Sequence, residues 1–334
     1  MPDPRDQQIR DWLQQFAEIA GADLQPASAD ASFRRYFRVK NGDTSRIVMD
    51  APPGKEDCAP FLRIASWLRS MQLNAPRVHA ADPEQGMLLL SDLGTTQYLD
   101  VLNAEPGRAD ELYADAIGAL LTLQREGVRY CAELPPYDEK LLRAELALFS
   151  EWLCGTHLGI RFSDSESQQW QAVVDSLVSN ALDQPSVFVH RDYHSRNLML
   201  VNDNNPGILD FQDAVCGPYT YDLVSLLKDC YIAWPPGRII EWALSFLRKR
   251  EAAPGSISEE SFLRHFELMG VQRHLKAAGI FARLNHRDGK PGFMHDVPRT
   301  LNYVLEIAPR YGELDFLADL IANRIMPCLG KPDP

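Results

Sequence analysis

One segment, residues 186–213, constrains the fold of this chain more than any other. Three short apolar runs alternate there with polar residues: Val187–Val189, Leu198–Val201 and Ile208–Phe211. The first run is β-branched and aromatic, which favours a buried strand that leads into a polar loop. The polar stretch Asn202–Pro206 is typical of a turn. It predicts a hairpin that pairs residues near Met199 with residues near Asp210.

This hairpin would gather polar side chains at one end. Asn197 and Asp210 reach the same end of the hairpin, and Asp192 lies on the loop that leads into it. Two carboxylates and an amide predict a site for a hard divalent cation next to a spare base. Two alternatives stay open at this point: a polar loop beside an ordinary hairpin, and a transition-metal site formed by His190, Asp192 and His194.

The order of these residues resembles a known family. His190-Arg191-Asp192, then Asn197, then Asp210-Phe211 follow the order of the catalytic loop and the metal-binding aspartate of protein kinases. Tyr193 and His194 directly follow Asp192, and Gln212-Asp213 follows Phe211. In this form the motif resembles the aminoglycoside phosphotransferase family, whose members are kinase-like enzymes that act on small molecules.

The resemblance implies an α+β fold of the protein-kinase type with two lobes. Residues 1–93 would form a small, β-rich lobe that grips the nucleotide. Residues 94–334 would form a larger, mostly helical lobe that carries the catalytic loop and the acceptor-binding helices. ATP and Mg²⁺ are the cofactors that the resemblance implies. With 334 residues, 45% of them hydrophobic, the chain is long enough for such a core.

The composition excludes several other classes. A formal charge of −12 argues against a nucleic-acid binder, which needs a basic surface. No uninterrupted apolar run approaches the ~18 residues of a membrane span, and the N-terminus lacks a signal-peptide pattern. The six cysteines are scattered without a Cys-x-x-Cys pair, which indicates reduced thiols. We therefore expect a cytoplasmic monomer with neither a nucleic-acid nor a membrane partner.

Apolar spacing and turn signals predict the elements of the first lobe: a helix over 6–20, strands over 33–40 and 46–50, a helix over 57–71, and strands over 78–82 and 86–90. In the family, the loop before the first strand covers the phosphates of ATP, and the segment after the last strand binds adenine. The implied nucleotide contacts are Ser32, Phe33, Arg34 and Arg35 at the loop, and Leu90, Ser91, Asp92 and Leu93 at the hinge.

One departure from the kinase pattern concerns a lysine. The strand 46–50 usually carries a lysine that pairs with the phosphates and with a helix glutamate, but here it reads Arg-Ile-Val-Met-Asp. Arg34, Arg35 or Lys55 would have to supply the positive charge, and Glu56 is a candidate for the glutamate. The missing lysine is also the main argument for an inactive relative that only binds nucleotide.

The second lobe is predicted to be mostly helical, with helices over 109–125, 138–154, 165–181, 239–249, 261–284, 297–307 and 314–326. Ser163 or Asp164 would cap the third of these. A further helix starts near Asp222, whose carboxylate is predicted to bond the catalytic loop or backbone amides.

The resemblance also implies roles for individual side chains. Asp192 would accept or orient the hydroxyl proton, Asn197 and Asp210 would hold Mg²⁺, His190 would fix the loop, and Arg196 would shield the charge of the transferred phosphoryl group. The candidate acceptor contacts are Tyr193, His194, Asp213, Tyr219, Trp234, Arg273 and His274.

One branch of the family matches further stretches: 32–39, 48–53, 91–94 and 190–213. Its members phosphorylate carbon 1 of the cell-wall amino sugars N-acetylmuramate and N-acetylglucosamine in peptidoglycan recycling. A hydroxyl at the reducing end is more acidic than an ordinary alcohol, so a modest base suffices. Arg273 or Arg196 would bind the lactyl carboxylate. Kinases of aminoglycosides or choline-like alcohols, and a nucleotide-binding pseudokinase, remain as alternatives.

Overall fold

The computed structural model describes residues 3–29, 33–250 and 257–329. These residues form two compact units. The first comprises Met1–Tyr98 and Asn197–Asp213, and the second comprises Leu99–Arg196 and Ala214–Pro334. The hairpin 197–213 therefore groups with the first unit, whereas the boundary that we predicted after residue 93 assigns it to the second lobe.

The strands are short and fall mostly in the first unit: β1 (Gln25–Ala29), β2 (Arg35–Asn41), β3 (Thr44–Asp50), β4 (Val78–Asp82), β5 (Met87–Ser91), β6 (Ser186–Val189), β7 (Leu198–Met199), β8 (Gly207–Ile208) and β9 (Val215–Pro218). The helices fall mostly in the second unit: α1 (Pro4–Leu13), α2 (Ala59–Ser70), α3 (Tyr98–Ala104), α4 (Ala109–Gly127), α5 (Glu139–Leu148), α6 (Asp164–Leu182), α7 (Tyr221–Leu227), α8 (Pro236–Arg250), α9 (Glu259–Asp288), α10 (Val297–Ile307), α11 (Asp315–Leu320) and α12 (Met326–Leu329).

The first unit is built on a five-stranded antiparallel sheet in the order β1-β2-β3-β5-β4. One face of the sheet packs Val39, Val48 and Leu89 against Ile9 and Trp12 of α1. The strands that we predicted correspond to β2–β5. The sequence analysis missed β1, because its residues Gln25–Ala29 show neither apolar alternation nor β-branched side chains.

The first helix is shorter than predicted. It ends at Leu13, and the chain continues to residue 22 in tight turns, in which the amide of Phe16 bonds the carbonyl of Leu13 and the amide of Ile19 bonds that of Phe16. Consecutive turns with this three-residue spacing keep Leu13 and Ile19 in the same buried core. The apolar spacing therefore imitates a longer helix.

The second unit is organised around α9, whose side chains are buried along most of its length. The helix packs against α5, α6, α7 and α10. The predicted helices are present with ends shifted by a few residues, except that α5 continues as a π-helix over Phe149–His157 and α11 continues as a π-helix over Ile321–Ile325 that leads into α12. The amide of Glu166 donates a 3.3 Å bond to Ser163 Oγ, so Ser163 is the cap of α6. Within the described residues, no helix is long and apolar enough to cross a membrane.

We predict that Gly279→Ala destabilises the second unit. A Cβ atom at Gly279 in α9 would lie 2.4 Å from the carbonyl carbon of Leu148 and 2.6 Å from the amide nitrogen of Phe149. Both atoms belong to the backbone, so relief requires α9 to shift. Overpacking of this kind costs about 1–3 kcal/mol in the free energy of unfolding, which urea denaturation measures.

Gly118→Ala is the matched control, because Gly118 also lies inside a helix but a Cβ atom there meets nothing within 4 Å. Alanine should raise helix stability at this position by up to ~1 kcal/mol. Equal destabilisation by both substitutions would contradict the close approach of α9 and α5.

Candidate active site

The predicted hairpin is formed by β7 and β8. Leu198 pairs with Ile208 and Met199 with Gly207, so residues near Met199 pair with residues near Asp210, as predicted. The side chain of Asn205 closes the turn by accepting a 3.2 Å bond from the amide of Val201.

Asn197 and Asp210 nevertheless meet at the open end of the hairpin, as predicted. Asn197 Nδ2 lies 3.3 Å from Asp210 Oδ2, and the carbonyl of Asn197 accepts a 2.9 Å bond from the amide of Leu209. Gln212 Nε2 donates a 2.8 Å bond to Asp210 Oδ1. The carboxylate of Asp210 and the amide oxygen of Asn197 are hard oxygen donors of the kind that suits Mg²⁺.

The backbone at Asp210 is left-handed, with φ of 62°. Such a conformation costs about 1–3 kcal/mol for a residue other than glycine and persists only where the surroundings impose it. The adjacent Phe211 is fully buried and packs on Phe61 of α2, with 4.8 Å between ring centroids. This packing fixes the direction in which the Asp210 carboxylate points.

A partly buried ion pair lies in the same unit. Arg34 Nε is 3.1 Å from Glu56 Oε2, and the two side chains are 11% and 13% exposed. Glu56 Oε1 also accepts the amide of Phe33 at 3.1 Å. Burial alone would lower the pKa of Arg34, but the charges of Tyr36, Glu56 and Asp210 raise it. The guanidinium is therefore a fixed positive charge within electrostatic reach of Asp210.

The strand β3, which carries no lysine, ends in an acidic residue. Asp50 ends β3 with a side chain that is 0% exposed, and it forms ion pairs of 2.7 Å with Arg5 and with Arg35. Arg35 also bonds Asp3 at 2.9 Å. Arg35 thus holds Asp50, and of the three predicted cations Arg34 is the one paired with Glu56. Ser32 lies outside the described residues, and Phe33 is 62% exposed.

The predicted hinge begins at the end of β5. Leu90 is buried and pairs with Ile47 of β3, and Ser91 pairs with Arg46. The side chain of Asp92 is occupied by Arg38, with bonds of 2.6 and 2.9 Å, and by Ser45. Burial alone would raise the pKa of Asp92, but these bonds lower it.

Leu93 belongs to the same region and contacts the hairpin. Its side chain would lie 3.0 Å from a Cβ atom at Gly207. Because the carboxylate of Asp92 is already bonded within the protein, only backbone groups of Leu90–Leu93 are candidates for nucleotide contact. The prediction of nucleotide contacts in this segment stays a prediction.

The catalytic loop, residues 190–196, belongs to the second unit. The buried carboxylate of Asp222 accepts the amide of His190 at 2.6 Å and the amide of Arg191 at 2.9 Å, which confirms its predicted structural role. Burial raises the pKa of Asp222 to about 7, although the two amide bonds oppose this shift. Arg191 has a left-handed backbone with φ of 77°, so these bonds hold a strained turn.

The sequence analysis missed a second anchor of this loop, Glu145. Glu145 Oε1 lies 2.6 Å from Arg191 Nη2 and 2.9 Å from Lys276 Nζ, and Glu145 Oε2 accepts bonds from Tyr137 and Gln272. A signal existed in the sequence. Glu145 falls on the apolar face of α5, between Leu142 and Leu146, and a charge at such a position requires a partner.

Asp192 is half-buried on this loop. Its amide donates to His190 Nδ1 at 3.3 Å, and its carbonyl accepts the amide of His194 at 3.1 Å. Burial alone would raise the pKa of Asp192, but the positive charges of Lys276, His194 and His190 lower it. The side chain is therefore an ionised carboxylate at neutral pH. The prediction that Asp192 faces the pair Asn197–Asp210 stays a prediction.

The end of the loop is fixed by Asp229, which the sequence analysis also missed. Asp229 Oδ2 accepts bonds from the amide of Ser195 at 3.0 Å and from Ser195 Oγ at 2.5 Å, and Asp229 Oδ1 accepts the amide of Tyr231 at 2.9 Å. The next residue, Arg196, places its guanidinium 4.7 Å from the ring centroid of Tyr231. Arg196 thus lies over an aromatic ring in the second unit.

Four of the predicted acceptor contacts have side chains that are buried with internal partners, and their role in acceptor binding stays a prediction. Tyr193 and Tyr219 are 0% exposed, and Tyr193 donates to the carbonyl of Ala116. His274 bonds the carbonyl of Lys228, and burial lowers its pKa to about 3. Arg273 is buried and bonds Ser225 at 2.6 Å.

The other three predicted contacts each have partners within their own unit. Asp213 is exposed in the first unit, where it accepts a bond from Gln212. Trp234 donates to Tyr113 at 2.8 Å within an aromatic cluster of the second unit. His194 is 9% exposed and packs edge-on against Tyr231 at 5.4 Å.

The transition-metal alternative finds no support. Among residues 3–29, 33–250 and 257–329, no three His, Cys, Asp or Glu side chains are placed to hold a metal ion together. This range includes His190, Asp192 and His194. The six cysteines are free.

Solved structures define the class of the fold. The chain superposes on an ADP-bound aminoglycoside phosphotransferase with a TM-score of 0.59 and 14% identity, covering 89% of this chain and 97% of that one. A choline kinase from Streptococcus pneumoniae gives a TM-score of 0.62 with 12% identity, covering 91% and 100%. The fold is therefore that of the protein-kinase-like small-molecule kinases.

The chain belongs to the APH family of phosphotransferase enzymes, whose model matches residues 23–265. A relative from Pseudomonas aeruginosa, named N-acetylmuramate/N-acetylglucosamine kinase, is 48% identical over 333 residues, or 96% of this chain and 97% of its own. A relative from Neisseria meningitidis with the same name is 43% identical over 325 residues, or 95% of each chain. The predicted family is thus confirmed.

Proposed function

We propose that this protein is an ATP-dependent kinase that phosphorylates the anomeric hydroxyl of N-acetylmuramate and N-acetylglucosamine in peptidoglycan recycling. The observation that carries the proposal is the 48% identity, over nearly the full length of both chains, to a protein named for these two sugars. An ATP-consuming enzyme of a recycling route works where nucleotide is available, and we therefore propose a cytoplasmic location.

Each of the two units carries groups that suit phosphoryl transfer. In the first unit, Asn197 and Asp210 would hold Mg²⁺, which neutralises charge on the terminal phosphates when bound. The guanidinium of Arg34 would pair with the phosphates and be oriented by Glu56, as a lysine–glutamate pair is in protein kinases. Phe33 and the backbone of Leu90–Leu93 would complete the nucleotide site.

In the second unit, Asp192 would orient the sugar hydroxyl and accept its proton. An ionised carboxylate is a weak base, but an anomeric hydroxyl is acidic enough for a weak base to assist. The buried His190 would fix the loop rather than transfer a proton. Asp222 and Glu145 hold the backbone and side chain of Arg191 next to it, so Asp192 is presented from a rigid turn.

A coupled assay of ADP formation tests the proposed function. We predict Mg²⁺-dependent turnover with N-acetylmuramate and N-acetylglucosamine, and loss of turnover after chelation of the metal. Kanamycin and choline serve as controls for the other acceptor classes of this fold. Turnover with these two compounds and with neither sugar would contradict the proposed acceptors, whereas absence of turnover with every acceptor would favour a pseudokinase.

We predict that Asp192→Asn lowers kcat by about 10²–10⁴-fold, because the amide cannot accept the hydroxyl proton. The affinity of the variant for ATP, measured by calorimetry, should stay within about twofold of that of the unmodified protein, because Asp192 would contact the acceptor and not ATP. Asp175→Asn is the control, because Asp175 forms a surface ion pair with Arg143. Normal turnover of the Asp192→Asn variant would remove this residue from the mechanism.

We predict that Arg34→Met raises the KM for ATP and lowers kcat/KM for ATP by about 10- to 100-fold, the value of one charge-assisted bond to phosphate. Arg34→Lys should recover part of this loss. Arg35→Met is the discriminating control, because Arg35 holds Asp50. Arg35→Met should lower the melting temperature and leave the KM for ATP unchanged. If instead Arg35→Met raised the KM for ATP and Arg34→Met did not, the phosphate contact would be assigned to Arg35.

A further inference from the structure

A cavity of about 400 Å³ lies in the second unit next to the end of the catalytic loop. Six of the residues that line it are Leu99, Arg196, Tyr231, Phe293, Asp296 and Arg299. A volume of this size lies within the range that small-molecule sites occupy. Apolar and aromatic walls with a few charged groups are also typical of such sites.

Hydrogen bonds tie the walls of this cavity to the loop. The amide of Leu99 bonds the carbonyl of Ser195 at 3.1 Å. Asp229 bonds the amide of Ser195 on one oxygen and the amide of Tyr231 on the other. Leu99 and Tyr231 are therefore both tied to Ser195, the residue directly before Arg196. The position of the cavity is thereby fixed relative to the loop that carries Asp192.

The charged groups of the cavity are mainly positive. Arg196 lies 4.7 Å from the ring centroid of Tyr231 and 5.9 Å from that of Phe293. Arg299 uses one nitrogen, Nη1, for both of its bonds, to Asp296 at 2.8 Å and to the carbonyl of Cys230 at 3.0 Å. Its side chain is 41% exposed, so the guanidinium is anchored at one end and accessible elsewhere.

Asp296 is the one acidic residue among those that line the cavity, and its side chain is 6% exposed. It faces Arg299 on one side and His295 Nε2, at 3.4 Å, on the other. Two guanidinium groups against one carboxylate leave the cavity with a net positive charge, in a chain with a net charge of −12. This charge favours an anionic ligand.

We propose that this cavity is the subsite for an acidic substituent of the acceptor, and that Arg299 determines specificity by binding the lactyl carboxylate of N-acetylmuramate. The inference rests on the proposed function. N-acetylmuramate is N-acetylglucosamine with a lactyl ether at carbon 3, and the carboxylate of this group is the only charge that separates the two sugars. A planar guanidinium matches a carboxylate in geometry and charge, and the rings beside Arg196 offer apolar contact to the lactyl methyl group.

The test compares three acceptors in the full-length enzyme: N-acetylmuramate, its methyl ester, and N-acetylglucosamine. With the unmodified protein, we expect kcat/KM for the free acid to exceed that for the ester by at least about tenfold, because the ester lacks the charge. Arg299→Gln should lower kcat/KM for the free acid by a similar factor and leave kcat/KM for N-acetylglucosamine within about twofold. The variant should no longer distinguish acid from ester.

Two further variants separate binding from structural damage. Arg299→Lys keeps the charge and should recover part of the preference for the acid. Arg287→Gln removes an exposed arginine that pairs with Asp288, and it should leave the acid-to-ester ratio unchanged. Because the acid-to-ester comparison in the unmodified protein needs no variant, the inference can be tested even if Arg299→Gln fails to fold.

The acceptor assays distinguish an error in the proposed subsite from an error in the proposed function. If the unmodified protein phosphorylates both sugars but Arg299→Gln retains the preference for the acid, the subsite is wrong and the function stands. The same holds if Arg299→Gln lowers the rates with acid, ester and N-acetylglucosamine equally. If the unmodified protein phosphorylates neither sugar, the proposed function is wrong and the subsite is wrong with it.

Discussion

The catalytic loop of this protein depends on one buried carboxylate. The side chain of Glu145 is 6% exposed. Its Oε1 forms ion pairs with Arg191 and Lys276, and its Oε2 accepts hydrogen bonds from Tyr137 and Gln272. A buried charge is tolerable only when it is paired and hydrogen-bonded, and removal of one partner leaves the rest uncompensated. The loop is therefore stable in one arrangement, because any other would separate these charges inside the protein.

The parts of the site that could be predicted from the sequence are local. The hairpin, the meeting of Asn197 with Asp210, and the contact of Asp222 with loop amides follow from turn chemistry and from a motif within about 40 residues. The exact register could not be predicted, because nothing in the sequence indicated that a side chain of the turn, Asn205, would close it.

The parts that could not be predicted depend on pairs that no motif or turn signal marks. Glu145 meets Arg191 across 46 residues, and Ser195 meets Asp229 across 34. The position of Glu145 on the apolar face of α5 indicates that it needs a partner but does not say which, and Asp229 carries no such signal. The burial of Tyr193, Tyr219 and His274 could not be predicted either, because it results from tertiary packing of side chains that are often only partly buried.

The acidic end of β3 has a practical consequence for the discovery of enzymes like this one. Reagents that profile kinases in cell extracts deliver an acyl group from a nucleotide analogue to the strand lysine beside the phosphates. The strand Thr44–Asp50 offers no amine, and the guanidinium of Arg34 does not react in this way. Such a reagent would find no acceptor on this strand, and labelling would depend on an amine elsewhere, such as that of Lys55, whose Nζ lies 4.8 Å from the ring centroid of Phe33.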